Sequence, residues 1–206
     1  MLYGVQLLTA AVIAAFALID DRLEASVAAM LVSPIGGQLA QVASNIIVGN
    51  FAAVAAPLAT AIGSVMVLVG VGAGARATYG GHAHTPEMKK RQEPFHVGYV
   101  LAFAVLVGVV DTLARASSPK SAYLAPTLAV GLAVTVSITV PLVNCGILLV
   151  DAMKRRVLVR SGVGVGNKDL QQAALGSKLS FAHAMVNIVG LMVGTAFATH
   201  VTSLLA

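Results

Sequence analysis

The chain has 206 residues, of which 58% are hydrophobic and 10% are charged, and its mean hydropathy is +0.89. A soluble domain carries about 25% charged residues, so this composition excludes an ordinary soluble domain and predicts an all-α, polytopic membrane bundle in one domain over residues 1–206. The net charge of +5 does not indicate nucleic-acid binding, because the basic residues flank apolar stretches and are not interleaved with aromatic residues.

Six apolar segments follow one another along the chain. They cover approximately residues 2–19, 23–48, 51–74, 96–113, 123–150 and 179–205. Each is close to or longer than the roughly 20 residues that a helix needs to cross about 30 Å of hydrocarbon. Polar loops at residues 76–94 and 151–178 interrupt the series. The sequence therefore predicts about six membrane-spanning helices.

The second segment carries a helix-breaking signal at its centre, where Pro34 is followed by Gly36 and Gly37. Proline removes a backbone donor, and a broken helix within a membrane requires protein or water to satisfy the freed groups. Behind the break, Gln38, Gln41 and Asn45 have the spacing of one helical face. Two interpretations remain open: these amides face a ligand or ion, or they only join neighbouring helices.

The fifth segment carries a similar signal, with Pro141 followed by Asn144 and Gly146, and predicts a second proline-broken helix. In the sixth segment, His183 and Asn187 lie one turn apart at membrane depth. Ionisable groups at such depth are expensive to bury and are often functional, although one interhelical hydrogen bond would also explain them. The candidate residues that line a substrate or ion site are Ser33, Gln38, Gln41, Asn45, Ser137, Asn144, His183 and Asn187.

The basic residues predict the orientation of the chain. With six spans, one face holds Arg22, Arg76, Lys89, Lys90, Arg91, Lys154, Arg155, Arg156, Arg160, Lys168 and Lys178, and the other holds Arg115 and Lys120. Positively charged loops stay on the cytoplasmic side, so both termini are expected on the opposite side. Lys154, Arg155 and Arg156 are also candidates for binding lipid headgroups.

The two halves of the chain, residues 1–75 and 95–206, resemble each other weakly. Each has a span that ends in an acidic residue, then a long segment with proline, then a third span. Three spans per half give an inverted repeat, as in many secondary transporters. Pro34 can be matched with Pro126 or with Pro141, and the second match is preferred because it aligns the two predicted breaks.

No set of residues in the sequence predicts catalysis, a metal site or a cofactor. Cys145 is the only cysteine, so no disulfide forms within the chain. His82 and His84 lack further ligands nearby, and the glycines of residues 162–166 are not followed by the Gly-Lys-Ser/Thr of a phosphate loop. The sequence thus predicts that the protein is not an enzyme.

Three motifs carry a resemblance to a known family: Ile19-Asp20, the run Ala28-Ala-Met-Leu-Val-Ser-Pro34, and Val140-Pro-Leu-Val-Asn-Cys-Gly146. In this order they resemble the hydrophobic membrane protein family known as domain of unknown function 389. The resemblance covers most of the chain and implies a membrane helical fold. Since that family has no settled activity, it implies no functional residues.

The functional expectation is a channel or secondary transporter for a small solute or ion, with its site between the two broken spans. The alternative is a structural subunit that does not transport, whose small-residue faces form an oligomer or dock onto a larger membrane complex. The expected partners are membrane lipids and further copies of this chain, with a small solute or ion as the transported species.

Overall fold

The computed structural model describes residues 2–79, 84–90, 94–117, 137–161 and 167–205. The chain forms one short helix before Pro34 and another after it, and a 3₁₀ turn spans Phe51–Ala53. The helices are α1 (Leu2–Ile19), α2 (Leu23–Val32), α3 (Ile35–Ile47), α4 (Ala55–Tyr79), α5 (Pro86–Lys90), α6 (Val97–Ser117), α7 (Thr139–Arg160) and α8 (Asn167–Leu205). The described part of the chain contains no strand, so the all-α class is confirmed there.

The helices have the length and composition of a multi-pass membrane protein. Four segments in the described ranges are long and apolar enough to cross a membrane: Leu2–Ile19, Phe51–Tyr79, Val97–Ala114 and Lys168–Leu205. The bent pair α2–α3 makes a fifth if it counts as one span. The first part of the predicted fifth segment, residues 123–136, lies outside the described residues together with Pro126.

The break between α2 and α3 falls at Ser33 and Pro34, where the helix axis turns by 42°. Ser33 is extended, with φ −68° and ψ 122°, because a residue that precedes proline is sterically kept out of the helical region. Gly36 and Gly37 lie in the first turn of α3 and not in the break itself. The chain therefore turns on the proline alone.

The predicted break at Pro141 and Gly146 is wrong, because α7 runs without interruption from Thr139 to Arg160. Pro141 is the third residue of the helix, where a backbone N–H has no helical acceptor and its absence costs no hydrogen bond. The predicted loop at residues 151–178 is also largely helical. It contains the end of α7 and the start of α8, with residues 162–166 outside the described part.

The first half of α7 is the centre of the bundle, since every residue from Thr139 to Leu148 is buried. Glycines let α4 and α7 approach closely side by side. A Cβ on Gly72 would collide with the carbonyl oxygen of Val143, and one on Gly146 would collide with that of Val69. Helices α6 and α8 are packed in the same manner, since a Cβ on Gly194 would strike the carbonyl of Val105. Small residues at such contacts are typical of membrane helices.

The contact between α4 and α7 predicts that Gly72→Ala destabilises the fold. Its new methyl group meets backbone atoms, which cannot rotate away, so we expect a loss of about 1–3 kcal/mol in the free energy of unfolding. Gly70→Ala is the matched control, because nothing lies within 4 Å of a Cβ there, and it should be neutral or stabilising by up to about 1 kcal/mol. Unfolding in detergent micelles measures both, and equal stability of the two variants would contradict this packing.

Candidate functional site

Three ionisable side chains meet where α4 and α7 leave the core of the bundle. Arg76 donates two hydrogen bonds to the Asp151 carboxylate, from Nε at 2.6 Å and from Nη2 at 2.8 Å, and His84 Nε2 lies 3.1 Å from the same carboxylate. Arg76 and Asp151 are 3% and 6% exposed. This paired geometry is what a buried arginine and carboxylate need in order to offset their loss of hydration.

Asp151 follows the predicted fifth segment and lies outside the helices that qualify as membrane spans. Burial alone raises the pKa of its carboxyl group, whereas the hydrogen bonds from His84 and Arg76 and the arginine charge lower it. The opposing effects leave the pKa of Asp151 below its ordinary value, so the carboxylate is ionised at neutral pH.

The loops that the charge pattern assigned to one face do meet at one end of the bundle, which we call the basic end. Thr85 Oγ1 donates to the carbonyl of Leu18 at 2.6 Å, and the Glu87 amide donates to Asp21 at 2.9 Å. These contacts join the end of α1 and the turn after it to the chain after α4. The contacts of Asp151 with Arg76 and His84 add the middle of α7. Of the basic residues in that set, Arg91 lies outside the described part, as does Lys120 from the opposite set.

A polar seam runs between α7 and α8 from the basic end inwards. The Asn144 side chain donates to Ser180 Oγ at 3.0 Å and to the carbonyl of Met88 at 3.3 Å. One residue further on, the Cys145 carbonyl accepts from Ser177 Oγ at 3.1 Å. Asn144 is fully buried, and its Oδ1 accepts no hydrogen bond from the described residues.

The start of α7 touches the break in the α2–α3 pair, and we call this contact the junction. Thr139 Oγ1 donates to Ser33 Oγ at 2.6 Å, and the Asn187 amide of α8 donates to the carbonyl of Ser137 at 2.8 Å. The predicted residues Ser33, Ser137 and Asn187 are therefore brought together. Pro34 and Pro141 flank this contact, one in a break and the other in a first turn.

The junction lies deep in the bundle by two independent paths. The ten-residue α2 is about 15 Å long and begins at the basic end. Along α7, Thr139 is separated from Asp151 by about 18 Å of helix. Both distances are about half of the ~30 Å thickness of the hydrocarbon layer of a membrane.

The predicted amide face of α3 does not reach the junction as a unit. Gln41 is exposed on the outside of the bundle and Gln38 is partly buried. Asn45 donates to the carbonyl of Ala53 at 3.2 Å, and so closes the turn after α3. His183 and Asn187 contact different residues. The His183 ring packs on the Phe95 ring, with 4.6 Å between the ring centres.

The three headgroup candidates differ in their partners. Lys154 donates to the Arg76 carbonyl at 3.3 Å, and Arg155 lies 3.6 Å from Asp169 of α8. Arg156 is exposed. Helix α7 thus presents Lys154 and Arg156 at the surface of the basic end, while Arg155 joins α7 to α8.

An apolar groove of about 280 Å³ lies on the outer side of α1 and α4, away from the polar seam. Val12, Phe16, Val71 and Tyr79 contribute to its lining, which includes none of the predicted polar residues. Among the residues that the structure describes, no three His, Cys, Asp or Glu side chains lie close enough to hold a metal ion. His82 is outside that part of the chain.

Sequence reasoning missed the pairing of Arg76 with Asp151 and the role of Thr139. A signal for the pair was present, because both residues end apolar segments that the charge pattern assigns to the same face. His84 was considered only as a metal ligand, whereas it contacts a carboxylate. Nothing in the sequence indicated that Thr139 would begin a helix beside Ser33.

Comparison of the chain with protein-family models, with curated proteins and with solved structures gives no match. The resemblance carried by the Pro34 and Gly146 motifs therefore stays a prediction.

The buried pair predicts that Asp151→Asn destabilises the protein by about 3–5 kcal/mol, because the Arg76 charge stays buried without its counter-ion. The pKa of Asp151 is lowered by folding, so its contribution to stability is present above the ordinary value near 4 and is lost as the pH falls below it. Unfolding followed from pH 7 to pH 3 should show this loss in the unmodified protein and a smaller one in Asp151→Asn. Asp169→Asn, at an exposed pair, is the control, and equal effects of the two variants would contradict the assignment.

Proposed function

We propose that this protein is a channel or secondary transporter that passes a small solute or ion through the junction. The observation that carries the proposal is the start of two helices, α3 and α7, beside each other, joined by the bond from Thr139 to Ser33. Both starts lie about 15–18 Å of helix from the basic end, a distance that supports a position near mid-membrane. Transporters commonly place their sites where interrupted helices meet at mid-membrane depth.

The backbone at the junction supports this proposal. Neither α3 nor α7 has a side chain that caps its first N–H groups. The first N–H groups of a helix have no acceptor within it, and an unsatisfied group in hydrocarbon costs several kcal/mol. Water or a passing solute would satisfy these groups, so the junction is the natural position for a hydrated site.

The polar seam supplies a route from the junction to the basic end. Ser137, just before α7, and Asn144 and Cys145 within it are bonded in turn to Asn187, Ser180 and Ser177 of α8. The route ends at Asp151, whose ion pair with Arg76 fixes α7 against α4. A transported species would exchange these hydrogen bonds for bonds to itself.

We also infer that the two halves are inverted repeats and that the basic end faces the cytoplasm, with both termini on the other side. The packing directions support the repeat. Helix α1 lies parallel to α4, with Tyr3 bonded to Ser64, and α6 lies parallel to α8. Helix α3 packs on α8, and α7 packs on α4. An inverted repeat would produce this pattern, because α3 would correspond to α7 and α4 to α8. Membership of the family that the sequence resembles would be in keeping with this arrangement.

The test of transport is flux into lipid vesicles that contain the purified protein. The panel is potassium, chloride and glycerol, and at least one should cross faster than in empty vesicles. Thr139→Val keeps the shape of the side chain but removes its bond to Ser33, so we expect it to change the rate by about fivefold or more.

Thr60→Val is the matched control, because Thr60 is partly exposed and its side chain bonds only to its own helix. Folded protein that passes none of the three solutes would overturn the proposal. Equal rates for the two threonine variants would remove the site from the junction.

The second candidate, an assembly subunit, is favoured by one observation. Gln41 is exposed on α3, and neither Gln41 nor Gln38 has a hydrogen-bond partner among the described residues. Amides that face lipid are costly, and a second chain would satisfy them. Gly37 beside them has nothing within 4 Å of its Cβ position, which leaves space for close approach of another helix.

Assembly predicts that Gln41→Leu weakens self-association by about 1 kcal/mol per interhelical bond lost, as measured from the monomer fraction in detergent by light scattering. Thr60→Val, at a partly exposed residue of α4, again serves as the control. If Gln41→Leu leaves the fraction of oligomer unchanged, this face of α3 is not the contact between copies.

A further inference from the structure

We propose that the junction binds a small inorganic anion of the size of chloride or nitrate. The inference rests on the proposed function, because it names the class of species that the transport site would accept. It is carried by four features of the junction: helix N-termini, a buried hydroxyl group, space beside glycine, and the distribution of charge.

The N-termini of two helices of thirteen and 22 residues meet at the junction, both without a side-chain cap. The N-terminus of a helix carries about half a positive charge and presents N–H groups that have no partner within the helix. In α3 these belong to Ile35, Gly36 and Gly37, and in α7 to Thr139 and Val140. Two such ends at one place favour a negatively charged ligand.

The Ser137 hydroxyl is an independent observation that points to a ligand. Ser137 lies two residues before the first residue of α7 and is 5% exposed, and its Oγ has no hydrogen-bond partner among the described residues. Its carbonyl is bound by Asn187, which fixes the residue at the junction. A buried hydroxyl without a partner is unfavourable, and an anion would accept its hydrogen.

Ser33 adds a second hydroxyl donor. Thr139 donates its proton to Ser33 Oγ, which leaves the Ser33 proton to be donated elsewhere. The two serines and the helix N–H groups thus present donors, whereas the Ser137 carbonyl is already occupied. A cation would use free oxygen acceptors instead. The last carbonyl groups of α2 are such acceptors at this break, so the vesicle test includes potassium.

Space and charge agree with this assignment. A Cβ on Gly36 would meet only Leu191 Cδ2, at the ordinary contact distance of 3.9 Å, so a ligand can approach the backbone of α3 at that residue. Neither α3 nor the stretch from Ser137 to Val150 contains a carboxylate. At the basic end the excess of lysine and arginine would raise the local concentration of anions.

The test measures binding and flux separately. Addition of sodium nitrate or sodium chloride, at ionic strength held constant with sodium gluconate, should raise the melting temperature of the protein in detergent. In vesicles, chloride and nitrate should cross faster than potassium or glycerol. In Ser137→Ala, the anion concentration that gives half of the rise in melting temperature should increase about tenfold, since one hydrogen bond to the ion is lost. The control is Ser203→Ala, at an exposed serine that bonds to its own helix.

The outcomes distinguish this inference from the proposed function. Passage of potassium or glycerol without anion binding would overturn the anion site and leave transport standing. Anion binding that Ser137→Ala weakens, without flux of any solute, would support the site and overturn transport. Absence of both in folded protein would overturn both, and identical binding by Ser137→Ala and Ser203→Ala would overturn the assignment to the junction.

Discussion

The structure depends on how backbone groups are satisfied where helices begin inside an apolar bundle. Pro34 makes Ser33 extended and ends α2 after ten residues, or about 15 Å, so α3 has to start there. Helix α7 starts at the same depth, and the hydrogen bond from Thr139 to Ser33 joins the two starts. Asn187 occupies the carbonyl before α7. The position of Asn187 in α8 is thus explained, because non-helical backbone inside an apolar bundle requires a hydrogen-bond partner from the protein or from water.

Close packing between glycine-containing helix faces holds that polar arrangement in place. In hydrocarbon, helices gain little from hydrophobic burial against each other, so dispersion contacts and short approach distances decide which faces meet. Gly72 and Gly146 bring α4 and α7 into backbone contact, and Gly194 does the same for α6 and α8. At the basic end, the ion pair of Arg76 with Asp151 fixes the register of α4 against α7. The buried half of α7 is therefore held at both ends by polar bonds and along its length by packing.

Hydropathy predicts the positions of the long helices well, because a membrane segment needs a length of apolar residues that can be read directly. Residues 2–19 form one helix as expected, and Pro34 marks the bend. The role of Pro141 could not be read in this way, because proline breaks a helix interior but is harmless in a first turn. Which of the two applies depends on where tertiary contacts begin the helix. The spacing of Gln38, Gln41 and Asn45 predicts that they share a face, but spacing does not say which neighbour that face meets. For the same reason the contact between Arg76 and Asp151 required the packing of α4 on α7.

Polar side chains without a hydrogen-bond partner among the described residues distinguish the two candidate functions. Inside the bundle, Ser137 Oγ and Asn144 Oδ1 have no partner among the described residues and are close to fully buried. A water molecule or another small species between the helices would satisfy them, which is in keeping with a transport site. Outside, Gln41 projects from α3 towards the surroundings, where an amide of another chain would satisfy it, as the assembly candidate proposes. Both candidate functions involve α3. The helix begins at the junction, which the transport proposal uses, and it carries Gln41 on its outer face, which the assembly candidate uses. A protein that assembles through that face would hold the junction end of α3 more firmly, so assembly and transport are compatible uses of one broken helix.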